Sequence, residues 1–281
     1  MLLLADSGGT KTEWQLIKGK ITTTAVKTPG INPYYQNAEQ IISDLLNNFP
    51  QDKIVQPVDE LFFYGAGCSA KEKQELVYAA LKKVFPASEI FVNSDLLGAA
   101  RALCQHAPGL ACVIGTGSGS CIYDGHKIVT NIPSLGYILG DEGSGAYLGK
   151  RLLQDFLRGD MPQMIMSKLR AQYEISKEVV LENVNRRPMP GRYLASFSEF
   201  LHDNLKYEYI RDLVSRSFND FALRYIIRYP NYKNYKIYVT GSIAYYFREI
   251  LIEVLQVFDL NLGNISESPM EGMKSFHLES V

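Results

Sequence analysis

One pattern occurs twice in this chain and restricts the folds open to it more than any other feature. An apolar segment at residues 2–5 leads into the turn DSGGTKT at residues 6–12, and two strand-like segments joined by KGK follow. The apolar segment at residues 110–114 leads into the turn GTGSGS at residues 115–120, and two strand-like segments joined by DGH follow. The duplication predicts two related domains, each opening on a β-hairpin and a glycine-rich turn. A coincidence of two unrelated hairpins is the alternative.

Strand-like and helical segments alternate in the N-terminal half, and the C-terminal half is mostly helical. Further strands are predicted at residues 61–64, 89–93 and 236–239. Helices are predicted at residues 38–47, 71–84, 95–104, 146–157, 161–173, 192–209, 211–229, 243–258 and 269–278. A length of 281 residues fits about two domains. The pattern therefore predicts an α/β protein.

Composition excludes several classes of partner. The formal net charge is −1, so no basic face is expected for a nucleic acid. No apolar run approaches the length of a membrane span, and the first residues lack the basic start of a secretory signal. We therefore expect a cytoplasmic protein without a membrane partner. The cysteines Cys68, Cys104, Cys112 and Cys121 have apolar neighbours and form no C-x-x-C pair, which favours buried thiols over disulfides or a zinc site.

A third glycine turn, TGS at residues 240–242, also follows an apolar strand. Glycine allows a backbone to approach a ligand closely, and backbone N–H groups with Ser and Thr hydroxyls can bind phosphate oxygens. Asp6, at the end of its strand, suits a Mg²⁺ ion, and Lys11 places positive charge nearby. A lone turn of this kind is more often a simple hairpin, and none of the three matches a Walker A loop. Three such turns, each after an apolar strand, indicate phosphate binding more specifically than any one of them.

The order of these turns resembles the actin, hexokinase and Hsp70 superfamily. The segments GDEGSG at residues 140–145 and NSDLLGA at residues 93–99 resemble the N-acetylglucosamine kinase branch of the BadF/BadG/BcrA/BcrD ATPase family. That family also includes the ATPase activators of benzoyl-CoA reductase and 2-hydroxyacyl-CoA dehydratase. The resemblance extends from residue 2 to about residue 273 and is weakest between about residues 150 and 233.

The resemblance implies a two-domain actin-like ATPase (ribonuclease H-like) fold. Each domain would contain a mixed sheet that opens on a β-hairpin, with a cleft between the domains. The first domain would comprise residues 1–107 and 268–281, and the second residues 108–267. The implied reaction is ATP-dependent phosphorylation of an amino sugar, N-acetylglucosamine to its 6-phosphate, with ATP and Mg²⁺ as cofactors. The resemblance also allows a homodimer, which no sequence feature indicates.

The matching motifs assign a role to each candidate site residue. Asp95 resembles the general base, and Asp6 would hold Mg²⁺ through water. The implied sugar-binding residues are Asn32, Tyr34, Ser134, Leu135, Gly136 and Asp141. The implied ATP-binding residues are Gly8, Gly9, Thr10, Lys11, Thr116, Gly117, Gly241 and Ser242. Leu135 stands where the family commonly has Trp, and Glu142 is expected to support its loop.

Two of these residues also have a purely structural interpretation. Asp95 lies in the first turn of a predicted helix, where a carboxylate is favoured at any helix N-terminus. Asn32 lies in the sequence PGINP, which is typical of a turn. An amide side chain can nevertheless both donate to and accept from sugar hydroxyls, so the two interpretations of Asn32 are compatible.

Two other functions remain open from the sequence. One is an ATPase that activates a radical dehydratase or reductase; such activators share a [4Fe–4S] cluster between two subunits through cysteines. Cys112 and Cys121 lie within the second hairpin and lack the expected cluster pattern. The other is a nucleotide-binding regulator without catalysis, which the presence of Asp6, Asp95 and Asp141 argues against.

Overall fold

The computed structural model describes residues 1–50, 58–85 and 87–279. Two compact units are formed. The first unit comprises Met1–Ala111, Ile122–Val129 and Ser268–Val281, and the second unit comprises Cys112–Cys121 and Thr130–Glu267. The domain boundaries given by the sequence analysis stay a prediction.

Strands and helices follow one another along the chain in the order expected of an α/β protein. The strands are β1 (Leu2–Ser7), β2 (Lys11–Lys18), β3 (Ile21–Pro29), β4 (Val58–Gly65), β5 (Ala87–Ser94), β6 (Gly109–Ile114), β7 (Ser118–Tyr123), β8 (Ile128–Ile132), β9 (Ile237–Thr240) and β10 (Leu262–Ser266). The helices are α1 (Ala38–Asn48), α2 (Lys71–Val84), α3 (Asp95–Cys104), α4 (Gly136–Leu139), α5 (Gly145–Arg158), α6 (Gln163–Gln172), α7 (Lys177–Asn185), α8 (Pro190–Ala195), α9 (Ser198–Asp203), α10 (Glu208–Phe221), α11 (Ser242–Tyr246), α12 (Arg248–Val257) and α13 (Met270–Glu279).

The strands form two five-stranded sheets with equivalent strand orders. One sheet has the order β3-β2-β1-β4-β5, and the other has the order β8-β7-β6-β9-β10. In each sheet, three strands that are consecutive in the chain lie side by side, and two later strands extend the sheet beside the first of them. The predicted duplication and the α/β class are therefore confirmed, and each sheet opens on the predicted glycine-turn hairpin.

The first sheet is mixed. β1 pairs antiparallel with β2 and parallel with β4, which in turn pairs parallel with β5. Successive side chains of β1 point to opposite faces, so Leu3 enters the core that contains Trp14 and Leu4 enters the core that contains Met273. Burial on both faces fixes the register of β1, and with it the position of Asp6, which pairs with Glu13 of β2 and Tyr64 of β4.

The helical region of the second unit differs from the prediction in several places. The single helix predicted at residues 192–209 is wrong, because the chain forms α8 and α9 with a break between them. Leu194 and Phe197 are buried at that break. The Leu194 carbonyl lies where a Cβ on Gly149 of α5 would sit, so close packing of α8 on α5 overrides the helical periodicity. The helix predicted at residues 243–258 is likewise divided into α11 and α12, and the sequence pattern predicts neither α7 nor β10.

Candidate functional site

The candidate residues of the first unit gather at one edge of its sheet. β1, β4 and β5 are parallel, with Ser7 opposite Gly65 and Gly65 opposite Ser94. Their carboxyl ends therefore meet at the same edge, which is where α/β sheets commonly bind ligands. Asp6 lies near the end of β1, and Asp95 follows β5 as the first residue of α3.

Asp6 and Asp95 are close enough to affect each other electrostatically. Burial, together with the negative charges of Asp95 and Glu13, raises the pKa of Asp6 from 3.8 to about 7, while Lys11 opposes the change. Like charges that share a poorly solvated site disfavour ionisation of one another. A bound cation would relieve this repulsion, so the electrostatics of Asp6 fit a metal-binding role.

The N-terminus of α3 is capped by Ser94, whose hydroxyl accepts the Leu97 N–H at 3.3 Å. One oxygen of the Asp95 carboxylate also accepts a hydrogen bond, from the Leu96 N–H at 2.8 Å. Asp95 therefore takes part in the first turn of its helix, as the structural interpretation expects. This contact uses one carboxylate oxygen and is compatible with a second role for the side chain.

The first glycine turn is held in shape by residues 29–31. The Ser7 and Thr12 hydroxyls lie 2.7 Å apart, and Ser7 Oγ accepts the Ile31 N–H at 3.0 Å. The Gly30 N–H donates to the Thr10 carbonyl at 3.2 Å. A Cβ on Gly30 would lie 2.4 Å from the Gly8 carbonyl oxygen, so only glycine allows this approach. The shape of the turn is thus fixed by the chain itself before any ligand binds.

Asn32 and Tyr34 lie beside the turn that follows β4. Asn32 Oδ1 accepts the Tyr34 N–H at 3.0 Å, and a Cβ on Gly67 would lie 2.6 Å from the same oxygen. Lys73 Nζ donates to the Pro33 carbonyl at 3.0 Å and lies 4.9 Å from the centre of the Tyr34 ring. Since this turn leaves β4 at the edge where β1 and β5 end, the structure brings Asn32 and Tyr34 to the same edge as Asp6 and Asp95.

In the second unit, the second glycine turn packs against the loop at residues 140–144. The Gly145 N–H donates to the Gly115 carbonyl at 2.9 Å, and the Ala146 N–H donates to the Thr116 carbonyl at 3.1 Å. The Ser118 hydroxyl donates to the Glu142 carbonyl at 2.7 Å. Glu142 therefore contacts the turn through its backbone.

Asp141 is the most enclosed of the candidate residues in the second unit. Its carboxylate accepts the Ser134 hydroxyl at 3.1 Å and the Ser118 N–H at 3.4 Å. Burial raises the pKa of Asp141, and these two hydrogen bonds oppose the change. A Cβ on Gly117 would lie 3.1 Å from Asp141 Oδ2, so the glycine leaves room for the carboxylate. Gly117, Ser134 and Asp141 are thus brought together.

Leu135 lies at the surface of the second unit, as Ser134 does, and Gly136 beside it is half-buried. The side chain of Leu135 is 57% exposed, and Gly136 begins α4 with a φ of 69°. The Lys150 ammonium of α5 donates to the Tyr137 carbonyl at 2.9 Å, which holds α4 against α5. The segment that carries Leu135 is therefore held in position, and its apolar side chain is accessible to a ligand.

The third glycine turn lies directly against the start of the second. Gly241 has a φ of 121°, and a Cβ there would lie 2.4 Å from the Ile114 carbonyl oxygen. Its N–H donates to the Ser266 carbonyl at 3.0 Å, and Ser242 begins α11. The predicted nucleotide residues Thr116, Gly117, Gly241 and Ser242 therefore belong to one cluster within the second unit.

Sequence reasoning missed Tyr225, which lies beside this cluster. Its hydroxyl lies 3.3 Å from the place where a Cβ on Gly140 would sit, so the side chain borders the loop at residues 140–144. Tyr225 lies in the long region where the sequence shows no motif, and a tyrosine in a helical pattern is indistinguishable there from an ordinary core residue. No signal in the sequence could have singled it out.

Several solved structures are similar to this one. A "putative N-acetylglucosamine kinase" from Porphyromonas gingivalis is 39% identical, with 99% of each chain covered and a TM-score of 0.94. A second protein of that description, from Chromobacterium violaceum, is 17% identical, with 98% of each chain covered and a TM-score of 0.73. MreB5 of Spiroplasma citri bound to AMPPNP is 14% identical, with 99% of this chain and 94% of that chain covered and a TM-score of 0.60. No protein-family model and no curated protein matches the sequence.

The two sheets and their glycine turns define the two-domain, actin-like ATPase fold. The chain belongs to the family of the Porphyromonas gingivalis protein, because the two sequences are 39% identical along nearly their whole lengths. Membership of the BadF/BadG/BcrA/BcrD branch stays a prediction. Among the described residues, no helix is both long and apolar enough to span a membrane.

Proposed function

We propose that the protein is an ATP-dependent kinase that phosphorylates N-acetylglucosamine, or a closely related amino sugar, on its 6-hydroxyl. The observation that carries the proposal is the arrangement at the edge of the first sheet. Asp6 and the first glycine turn lie at the carboxyl end of β1, and Asp95 follows the carboxyl end of β5, a parallel strand that only β4 separates from β1. The family relationship to a protein described as an N-acetylglucosamine kinase supports the choice of substrate.

Asp95 is the proposed general base. Transfer of a phosphoryl group requires an acceptor hydroxyl placed in line with the γ-phosphate and a group that accepts its proton. Asp95 begins α3 at a position that the Ser94 cap holds in place. We propose that the Asp95 carboxylate accepts the proton of the sugar 6-hydroxyl.

Asp6 is the proposed contact for Mg²⁺. Mg²⁺ usually keeps several waters and binds one or two carboxylates together with substrate phosphates, so it does not require a cluster of protein ligands. The raised pKa of Asp6 shows a carboxylate that gains from a nearby cation. When bound, the ion neutralises charge on the β- and γ-phosphates. Asp6 would orient the water shell of the ion rather than take part in proton transfer.

The remaining candidate residues have proposed binding roles. In the first unit, Gly8, Gly9, Thr10 and Lys11 contact phosphate, and Asn32 and Tyr34 contact the sugar. In the second unit, Thr116, Gly117, Gly241 and Ser242 bind the nucleotide, and Ser134, Leu135, Gly136 and Asp141 bind the sugar. Leu135 presents an exposed apolar side chain beside the polar Ser134 and Asp141 pair. That combination suits a ligand with both hydroxyl groups and an apolar group.

The test is a panel of amino sugars and plain hexoses assayed with ATP and Mg²⁺ by coupled ADP release. We expect ADP release that depends on the sugar and is fastest with N-acetylglucosamine. Fast ADP release at an equal rate with and without every sugar would instead indicate an ATPase. No release under any condition would favour a non-catalytic nucleotide-binding regulator.

The alternative role as an activating ATPase finds no support in the positions of the cysteines. Cys68, Cys104, Cys112 and Cys121 are all buried within the folded chain. A cluster shared between two subunits needs thiols at a surface that a second copy can reach. A homodimer remains a prediction of the family resemblance.

A further inference from the structure

The chain between β3 and α1 folds back on Asn32. The Tyr35 and Gln36 N–H groups donate to the Asn32 carbonyl at 3.0 and 3.1 Å. The Tyr34 N–H donates to Asn32 Oδ1 at 3.0 Å. Both oxygens of Asn32 therefore accept hydrogen bonds from the residues that follow it, and Nδ2 is the side-chain atom that can donate to an oxygen of a ligand.

The side chain of Gln36 connects the Asn32 backbone to α1. Its Oε1 accepts the Asn32 N–H at 2.8 Å, and its Nε2 donates to Asp44 Oδ2 of α1 at 2.7 Å. An amide side chain has an acceptor at one end and donors at the other, and here both ends are used. Gln36 and Asp44 are half-buried, so water competes less for these bonds than it would at the surface.

The helix that carries Asp44 is itself held in place. Asn37 Oδ1 accepts the Gln40 N–H and Gln40 Oε1 accepts the Asn37 N–H, both at 2.9 Å, which forms a capping box at the start of α1. Ile41 and Leu45 of the same helix are fully buried in the core of the first unit. The position of Asp44 is therefore set by the core.

The residues on each side of Asn32 are held by other parts of the first unit. The Ile31 N–H and the Pro33 carbonyl form hydrogen bonds, each of 3.0 Å, to side chains of β1 and α2. The Asn32 N–H itself is bound by Gln36. Loss of the Gln36 bond would allow this peptide group to rotate, and the Asn32 side chain would turn with it.

We infer that Gln36 is a positioning residue that holds Asn32 in the orientation needed to bind the sugar. The observation that carries the inference is the continuous series of hydrogen bonds from Asp44 through Gln36 to the Asn32 N–H. Gln36 does not need to contact the sugar, because it acts through the Asn32 backbone. The inference rests on the proposed function, in which Asn32 binds the sugar.

Steady-state kinetics of Gln36→Leu test the inference, with Gln40→Leu as the matched control. In both variants leucine replaces a glutamine whose Oε1 accepts a backbone N–H near the start of α1. We expect Gln36→Leu to raise the KM for the sugar about fivefold, the effect of one lost hydrogen bond, with kcat and the KM for ATP within about twofold of wild type. Gln40→Leu should lower the melting temperature through loss of the capping box and leave the sugar KM unchanged. An unchanged sugar KM in Gln36→Leu, or an equal rise in both variants, would overturn the inference.

A pair of charge variants tests the connection through Asp44. Gln36→Glu can still accept the Asn32 N–H, but its carboxylate faces the Asp44 carboxylate, so we expect the sugar KM to rise at neutral pH. Adding Asp44→Asn supplies an amide that can donate to the new carboxylate, and the double variant should return to within about twofold of the wild-type KM. A wild-type KM in Gln36→Glu, or a double variant no better than Gln36→Glu, would contradict the inference.

Hydrogen exchange of the ligand-free chain provides a readout that does not depend on turnover. The Asn32 amide should exchange faster in Gln36→Leu than in wild type. Gln40→Leu should leave it unchanged and accelerate exchange of the Asn37 amide instead. Equal exchange of the Asn32 amide in Gln36→Leu and wild type would overturn the inference. If wild type phosphorylates no sugar, the proposed function fails, and the exchange comparison alone then decides whether Gln36 holds Asn32.

Discussion

The two glycine turns follow equivalent strands of their sheets but acquire their charge in different ways. The first turn carries its own carboxylate, Asp6, which lies near a second carboxylate, Asp95. The second turn has no acidic residue, and it packs against Asp141 from the loop at residues 140–144. Duplication thus preserved the strand order and the turn, while the acidic groups diverged. We propose that the first turn serves metal binding and phosphoryl transfer, and that the second serves substrate orientation.

The glycines that shape the two turns also have different neighbours. A Cβ on Gly30 would meet the backbone of the first turn, which cannot move without the strand. A Cβ on Gly117 would meet the Asp141 carboxylate, which is the end of a side chain. We therefore expect an added methyl group to destabilise the first turn more than the second. Substitutions can test this difference.

The largest effect is expected for Asp95→Asn. Removing the proposed base should lower kcat by about 10²–10⁴-fold, the usual contribution of general base catalysis. An amide keeps the size of the side chain and can still accept the Leu96 N–H, so the melting temperature should change little. Asp160→Asn, at an exposed loop position, is the control. Equal kcat in Asp95→Asn and wild type would remove Asp95 from the mechanism.

Asp6→Asn should stabilise the ligand-free protein while it weakens the response to Mg²⁺. The folded-state pKa of Asp6 lies near 7, above its ordinary value of 3.8, so folding disfavours the charged form. The free energy of unfolding of wild type should therefore fall, relative to the variant, as pH rises from about 4 to 7, and stay level above that. The difference should reach roughly 4 kcal/mol in urea denaturation, because about three pKa units separate the folded and unfolded states and each corresponds to about 1.4 kcal/mol.

The same pair of proteins can be compared in the presence of Mg²⁺ and ATP. Added Mg²⁺ and ATP should stabilise wild type more than Asp6→Asn, because only the carboxylate attracts the ion. If the free energy of unfolding of the two proteins depended on pH in the same way, the surroundings of Asp6 would not disfavour its charged form. The proposed contrast between the two turns would then be wrong.

Alanine substitutions at Gly30 and Gly117 should have different effects on stability and on sugar binding. Gly30→Ala should lower the free energy of unfolding by about 1–3 kcal/mol, the usual effect of overpacking, because the new methyl group meets backbone. Gly117→Ala should be less destabilising, and should chiefly raise the KM for the sugar by displacing Asp141. Gly119→Ala is the control, since a Cβ there meets nothing within 4 Å. Chemical denaturation and sugar kinetics measure both effects, and equal destabilisation by the two variants would contradict the account.

The smallest effect is expected for Asp141→Asn. Asparagine tolerates the left-handed conformation of this position, so the loop should keep its shape. Loss of the negative charge should raise the KM for the sugar about tenfold. In wild type that KM should rise as pH falls through the raised pKa of Asp141, whereas the KM of the variant should not change with pH in that range. A pH-independent wild-type KM would show that the Asp141 charge does not contact the sugar.

The sequence predicted the features that depend on local pattern. Glycine turns after apolar strands, the repeat of that pattern and the cap at Ser94 are all visible in the residues, and the structure has them. The contact between Gly30 and the first turn is not visible, since it joins segments that only the sheet brings together. The clustering of Gly117, Ser134 and Asp141 has the same origin.

The helical part of the second unit was less predictable, for a physical reason. Periodicity reports which face of a segment is apolar, but packing decides where the helix breaks, as at Leu194 beside Gly149. The π-helical turn Ala222–Ile226, which carries Tyr225, is likewise bound by a distant segment, because the Ser120 hydroxyl donates to the Tyr225 carbonyl. Such positions carry no signature that a single sequence can reveal.

Identification of the reaction product tests the central claim most directly. Purified protein would be incubated with ATP, Mg²⁺ and N-acetylglucosamine, and the product analysed by phosphorus and proton NMR. The account predicts N-acetylglucosamine 6-phosphate and equimolar ADP from wild type, with both strongly reduced in Asp95→Asn. Inorganic phosphate as the main product, formed equally by both proteins, would contradict it.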